Sequence, residues 1–246
     1  MKRKNVFQKG TKMVAFLLVS ALSLNSCNSN DDNGSSIQES EVVDAIDNTL
    51  SEDANGMTKT MNTVIDYARD ENLYTATPNL NCGQSYSVAY AENYSSTSYD
   101  YNYSATCSYQ LSCNADGAAQ SFSYQANRTG DYDTPRMSSD DNAAAQWTIS
   151  DLDAAANTLF NGSYVRTGTQ VSKVRNQNTF SSTLTYSLND IVVNKTTHQI
   201  VSGTATVVFT GVSSTGNQYT YNGAITFNGD TTATLVINGN SYTINL

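Results

Sequence analysis

Apolar residues recur along this chain in three different rhythms. Met13 to Leu24 is an uncharged stretch of 12 residues, apolar but for Ser20 and Ser23. Val43, Ile46, Leu50, Ala54, Met57, Met61, Val64 and Ala68 then follow one another at close to the helical period of about 3.6. Ser36 with Glu39 fits a capping box just ahead of this stripe, which predicts helix from about 37 to 70 within a helical segment 37–72. The Ser51-Glu52-Asp53-Ala54-Asn55-Gly56 stretch can divide it in two, although the stripe stays in register through Gly56.

From Gln84 the period falls to 2. Tyr99, Tyr101 and Tyr103 alternate with polar residues, as do Phe122 and Tyr124, Leu184 to Leu188, Ala205 to Phe209, Tyr219 to Phe227 and Tyr242 to Leu246. Thr204, Thr206, Thr210, Thr220, Asn222 and Thr226 occupy the opposite positions, so one side of the sheet is expected to be wet. Asn238-Gly239 is a strong two-residue hairpin signal, and Asn228-Gly229-Asp230 and Ser213 to Gly216 are weaker ones. The expected fold is mainly β: an antiparallel up-and-down meander over 80–246, as a curled sheet, sandwich or barrel, with the helical segment covering a face or an edge. Thr129 to Ala145, rich in Asp, Ser and Asn and without periodicity, reads as a long surface loop or as a boundary between two β halves.

The first rhythm has a different meaning. Lys2, Arg3, Lys4, Lys9 and Lys12 precede the apolar stretch without one acid, the layout of a signal peptide spanning 1–26. A 12-residue helix rises only about 18 Å, short of a hydrocarbon core of roughly 30 Å, so this segment is not expected to remain as a spanning anchor. Leu24-Asn25-Ser26-Cys27 resembles the lipobox of bacterial lipoproteins. That resemblance implies cleavage before Cys27, diacylglyceryl transfer to its sulfur and, usually, N-acylation. Two or three acyl chains hold a protein stably on a bilayer where one is marginal. The small, polar residues 27–36 read as a flexible tether. Asp31 and Asp32 within it resemble the acidic export signal of Bacteroidetes-type surface lipoproteins, which implies a lipid-anchored protein of the outer membrane facing the cell exterior; a merely acidic tether on a periplasm-facing protein is the alternative.

Five of the 13 basic residues lie in the leader, so the rest of the chain carries 8 against 22 acids, a net charge near −14. Nucleic acid is therefore an unfavourable partner, as is direct adhesion to anionic headgroups. After Cys27 three cysteines remain, enough for one disulfide and a leftover thiol. A hairpin turning near Tyr94 and Ser95 would set Cys82 opposite Cys107, Tyr86 opposite Tyr103 and Tyr90 opposite Tyr99, all on one face. Cys82–Cys107 is thus the first expectation, and a bond from Cys113 to Cys107 across a tight turn is the alternative.

Catalytic chemistry is poorly represented. A reactive Cys113 would need a base, and the only histidine is His198. One histidine without a CxxC or HExxH pattern does not make a zinc site, and no cofactor is expected. Asp131, Asp133, Asp140 and Asp141 form an acidic cluster, which reads as a solvated loop before it reads as a hydrolase pair. The unusual feature is tyrosine: nine fall between Tyr86 and Tyr132. Rigid amphipathic rings suit contact surfaces. Tyr99, Tyr101, Tyr103 and Trp147 are the candidate binding residues, and a glycan or another envelope protein is the expected partner. The alternatives are a periplasm-facing carrier of an apolar ligand and a carboxylate-dependent hydrolase.

Overall fold

The computed structural model describes residues 36–75, 77–152 and 156–246. The expected leader, Cys27 and the Asp31-Asp32 pair lie outside them. Two helices, α1 (Glu39–Leu50) and α2 (Met57–Asp70), flank a short 3-10 turn (Glu52–Ala54). Ten strands follow: β1 (Ser85–Ser95), β2 (Asp100–Cys113), β3 (Ala119–Asp133), β4 (Met137–Ser150), β5 (Asn157–Ser172), β6 (Thr179–Asn194), β7 (Ile200–Ser213), β8 (Gln218–Phe227), β9 (Thr232–Ile237) and β10 (Asn240–Asn245). They form one antiparallel sheet in the order β1 to β10, a pure meander that does not close into a barrel.

The helical segment breaks where the sequence allows. Ser51 caps the 3-10 turn by accepting from Asp53 N at 3.1 Å, and Asn55 takes the left-handed conformation. Gly56 then sits where any Cβ would lie 2.4 Å from the Thr49 carbonyl oxygen. At the start of α1 the reach-back comes from Glu41, whose Oε2 accepts from Gln38 N at 3.0 Å, rather than from the Ser36 and Glu39 pair of the expected capping box. Glu39 instead reaches the β9–β10 hairpin, accepting from Asn238, Asn240 and Tyr242.

That reach measures the curl of the sheet. Laid flat, β4 and β10 would stand six strand spacings, about 29 Å, apart. A 12-residue helix is about 18 Å long, yet α1 touches both strands and β5 as well. The sheet therefore wraps around α1, whose buried residues include acids: Asp44 is clasped by Arg136, from the β3–β4 turn, and by Arg175, from the β5–β6 turn. Carboxylates taken out of water are held by charged or hydrogen-bonding partners, here two guanidinium groups.

On the inner face an aromatic file crosses the strands, from Tyr109 to Tyr124 at 5.2 Å, to Trp147 at 5.3 Å, to Tyr164 and to Tyr186 at 6.2 Å each. The outer face is Ser, Thr, Asn, Gln, Ala and Val over most of its area. One row across it runs Ala91, Ser104, Thr129, Asn142, Thr167, Thr183, Thr210 and Thr220.

Two expectations are corrected. Thr129 to Ala145 is neither a loop nor a boundary: β3 and β4 pair throughout it around a tight turn in which Thr134 N donates to Met137 O at 2.9 Å. The inward positions there are Ser139, Asp141, Ala143 and Ala145, small or charged residues facing the helical segment, so no apolar alternation marks the strand. The disulfide joins Cys82 to Cys113, not to Cys107, which is free and buried. The first hairpin turns at Thr97 and Ser98, three residues later than expected. Tyr86 accordingly faces Tyr109 and Tyr90 faces Ala105.

Candidate functional site

The four residues singled out from the sequence separate into two environments. Trp147 and Tyr103 are each only 2% exposed and belong to the core, so neither forms part of a binding surface. Trp147 is packed between Tyr124, Phe160 and Tyr164. Tyr103 donates its hydroxyl to Asp141 Oδ1 at 2.8 Å and lies beneath two guanidinium groups, Arg128 at 5.1 Å and Arg166 at 5.6 Å from the ring centre.

Tyr99 and Tyr101, by contrast, reach the surface and gather a third ring. Tyr94 and Tyr101 are cross-strand partners at the turn end of the first hairpin, and Tyr94 stacks on both Tyr99, at 5.3 Å, and Tyr101, at 5.9 Å. The turn is held by Ser96, whose Oγ accepts from Ser98 N and Tyr99 N. Tyr94 is 46% exposed, the most open of the large apolar side chains. The 3-10 turn supplies Glu52 and Asp53, and the first turn of α2 supplies Lys59. Together the six residues line an open cleft of about 210 Å³. Glu52 also accepts from Asn62 of α2, which fixes the carboxylate at the rim.

The electrostatics keep the Tyr99 and Tyr101 phenols neutral. The charge of Asp53 and a hydrogen bond with Tyr94 push the Tyr99 hydroxyl up to about 12. Burial, followed by the charge of Glu92, raises that of Tyr101. Tyr99 and Tyr101 therefore present uncharged rings and hydrogen-bonding hydroxyls at physiological pH, beside the Tyr94 ring, two carboxylate acceptors and one ammonium donor. Apolar faces with a few convergent polar groups are the usual make-up of a small-molecule site. Tyr94, Glu52, Asp53 and Lys59 were not singled out in the sequence. Tyr94 shares the parity of Tyr86 and Tyr90 along β1, which was a usable signal for its face, whereas the other three reach the cleft only through the packing of helix on sheet.

The remaining candidates disperse. Asp141 points inward to Arg166, while Asp131 and Asp140 face each other across β3 and β4 on the outer side, and Asp133 pairs with Lys173. Burial, Asp140 and Asp100 together raise the Asp131 carboxyl, and these acids line an open depression of about 310 Å³ with Ser138 and Thr169 but without a basic side chain. Cys113 is consumed by its disulfide, and the Cys107 sulfur lies 3.5 Å from Val88 O and 3.4 Å from the Tyr109 hydroxyl, its thiol pushed up by burial. His198 lies 2.9 Å from Arg69 and 3.2 Å from Asp66 instead. Among the described residues no group of His, Cys, Asp and Glu is arranged to hold a metal ion. The chain matches no protein family, no curated protein and no solved structure with which it was compared.

Proposed function

We propose that this protein is a lipid-anchored, non-enzymatic envelope protein that captures a neutral glycan in the cleft of Tyr94, Tyr99 and Tyr101. The observation that carries this reading is the exposed tyrosine stack with charged groups at its rim. The axial C–H groups of a sugar ring rest on an aromatic face, and its equatorial hydroxyls then meet Glu52, Asp53 and Lys59 at the edge. The address follows from the lipobox resemblance at Cys27 and the acidic residues after it, which favour the outer membrane and its exterior side.

A sheltered apolar ligand is less well supported, because the space between helices and sheet is filled by Leu50, Met61, Val64, Ile65 and the aromatic file.

Glycan-array screening of the purified protein, followed by calorimetry with the best oligosaccharide, tests the reading. Tyr94→Ala and Tyr101→Ala are each expected to weaken binding at least about tenfold, or roughly 1.4 kcal/mol. Absence of binding by the folded protein, or binding indifferent to both changes, overturns it. Protease treatment of intact cells, with a periplasmic protein as leakage control, tests the address: rapid loss of the domain is expected, and protection refutes surface exposure.

A further inference from the structure

The two edges of the open sheet are treated differently. The β10 edge is short, six residues, and α1 closes it: Asn245 N donates to Asp47 Oδ1 at 3.0 Å, and the Tyr242 hydroxyl donates to Glu39. The β1 edge has 11 residues, about 36 Å of strand, with no proline, no basic residue and no bulge in its pairing with β2. Natural proteins usually blunt such an edge with lysine, proline or a bulge.

The direction of its backbone groups can be read from the turn. Ser96 N donates to Tyr99 O at 3.0 Å, which makes Ser96 and Tyr99 a hydrogen-bonded pair. Antiparallel ladders alternate, and the register from Ser95 back to Ser85 has no shift. Tyr86, Val88, Tyr90, Glu92 and Tyr94 therefore direct their N–H and C=O groups to β2. Ser85, Ser87, Ala89, Ala91, Asn93 and Ser95 direct theirs away from the sheet. Every residue of that outward set is small, so nothing stands in the way of an approaching strand.

We propose that β1 pairs antiparallel with β1 of a second copy of this chain, joining the two sheets across a two-fold axis at Tyr90. The sequence is self-complementary in that register. Ser85 meets Ser95 of the other copy, Ser87 meets Asn93 and Ala89 meets Ala91, so all outward groups are hydrogen-bonded by small residues. On the inner face Tyr86 meets Tyr94 and Val88 meets Glu92. Glu92 is the only charged residue in the strand, and it is already held by Arg128 and Thr63. Opposite Val88 it meets no like charge, the condition that antiparallel pairing requires. Val88 and Tyr94, exposed by 39% and 46%, gain neighbours. A two-fold axis perpendicular to the sheet also leaves both copies of Ser36 on the same side, as attachment of both chains to one bilayer demands. The pairing does not rest on what the tyrosine cleft binds, although Tyr94 belongs to both, so it is read from the backbone amides of β1 rather than from Tyr94.

Sedimentation velocity of the full chain in mild detergent, combined with amide hydrogen exchange over 85–95, tests it. A dimer is expected, with the Ala89, Ala91 and Asn93 amides slowed about 100-fold relative to the dilute monomer. Ala89→Pro removes only an N–H that β2 does not use, so it should leave the disulfide and the melting transition in place while giving a monomer. A chain that stays monomeric at about 100 μM overturns the proposal. So does a dimer whose Ala89 and Ala91 amides exchange freely, or one that persists in a folded Ala89→Pro variant. Should that variant fail to fold, the exchange pattern of the unaltered chain decides by itself.

Discussion

The Arg166 guanidinium donates to Asp141 Oδ2 at 2.7 Å with both side chains shut off from solvent, 2% and 0% exposed. The same guanidinium donates to the carbonyl oxygens of Asn48, in α1, and Ala54, in the 3-10 turn, and to the Tyr103 hydroxyl. Its plane lies 4.6 Å from the centre of the Tyr132 ring. Arg128 does the same one position along, donating to Asn55 O and Thr60. Helix ends leave carbonyls without partners, and here strand arginines satisfy them, so these two residues tie the helical segment to the sheet.

Removing one member of such a pair strands the other. Arg166→Met is expected to cost about 3–5 kcal/mol, because Asp141 is left as an uncompensated buried charge. For a domain of this size that lowers the melting temperature by roughly 10 °C. The double variant Arg166→Met with Asp141→Leu should recover part of the loss, though not the contacts to Asn48 and Ala54. Thermal melts of the three proteins check this, and a single variant within about 1 kcal/mol of the parent would show that the pair does not bind helix to sheet.

Cys82 and Cys113 close a loop with a sequence separation of 31. Chain-entropy arguments give such a closure about 3.5 kcal/mol of stabilisation. Reduction should therefore lower the denaturation midpoint while leaving the strand content unchanged below it. Reoxidation should restore the Cys82–Cys113 bond and leave Cys107 unmodified, because its thiol is buried and raised above the usual range. Peptide mapping after alkylation reads both outcomes; a Cys82–Cys107 product would contradict the register of β1 and β2.

Asp47 sits where burial raises its carboxyl above the usual 3.8, opposed by the hydrogen bond from Asn245 N and reinforced by the charge of Asp44. A folded value above the unfolded one means that the ionised group opposes folding once the pH exceeds both. Relief comes as the pH falls through the folded value towards 3.8. Asp47→Asn keeps an acceptor for Asn245 without the charge. It should be more stable than the parent at pH 7, with the difference shrinking as the pH falls through the raised folded value and vanishing once it is well below 3.8. Urea unfolding at four pH values measures this, and a difference independent of pH would exclude the charge as its cause.

Much of the fold was written in local pattern. The 3.6 period marked the helical segment, and the residues from Ser51 to Gly56 offered a place to divide it, because apolar spacing and turn chemistry act within a few residues; the cap itself fell to Gln38 and Glu41 rather than Ser36 and Glu39. The period of 2 placed most strands and assigned Tyr99, Tyr101 and Tyr103 to one face, which they share. It did not place β3 and β4 around Asp141, since a strand whose inward residues serve a buried ion pair carries no apolar alternation.

Register is where the sequence stopped. The expected pairing of the first hairpin is displaced by six residues, an even number, and so every side chain keeps its face while every partner changes. The same displacement carries the partner of Cys82 from Cys107 to Cys113. Burial was equally out of reach. Tyr101 and Tyr103 look alike in a two-residue period, yet Tyr103 lies beneath Arg128 and Arg166 while Tyr101 opens to solvent. Which of them is core depends on where the helical segment ends on the curled sheet. By itself the sequence determined most element types and their faces, because these depend on neighbours along the chain. Partners, burial and the gathering of Glu52, Asp53 and Lys59 beside the tyrosines depend on residues far apart in sequence, and only the tertiary structure decided them.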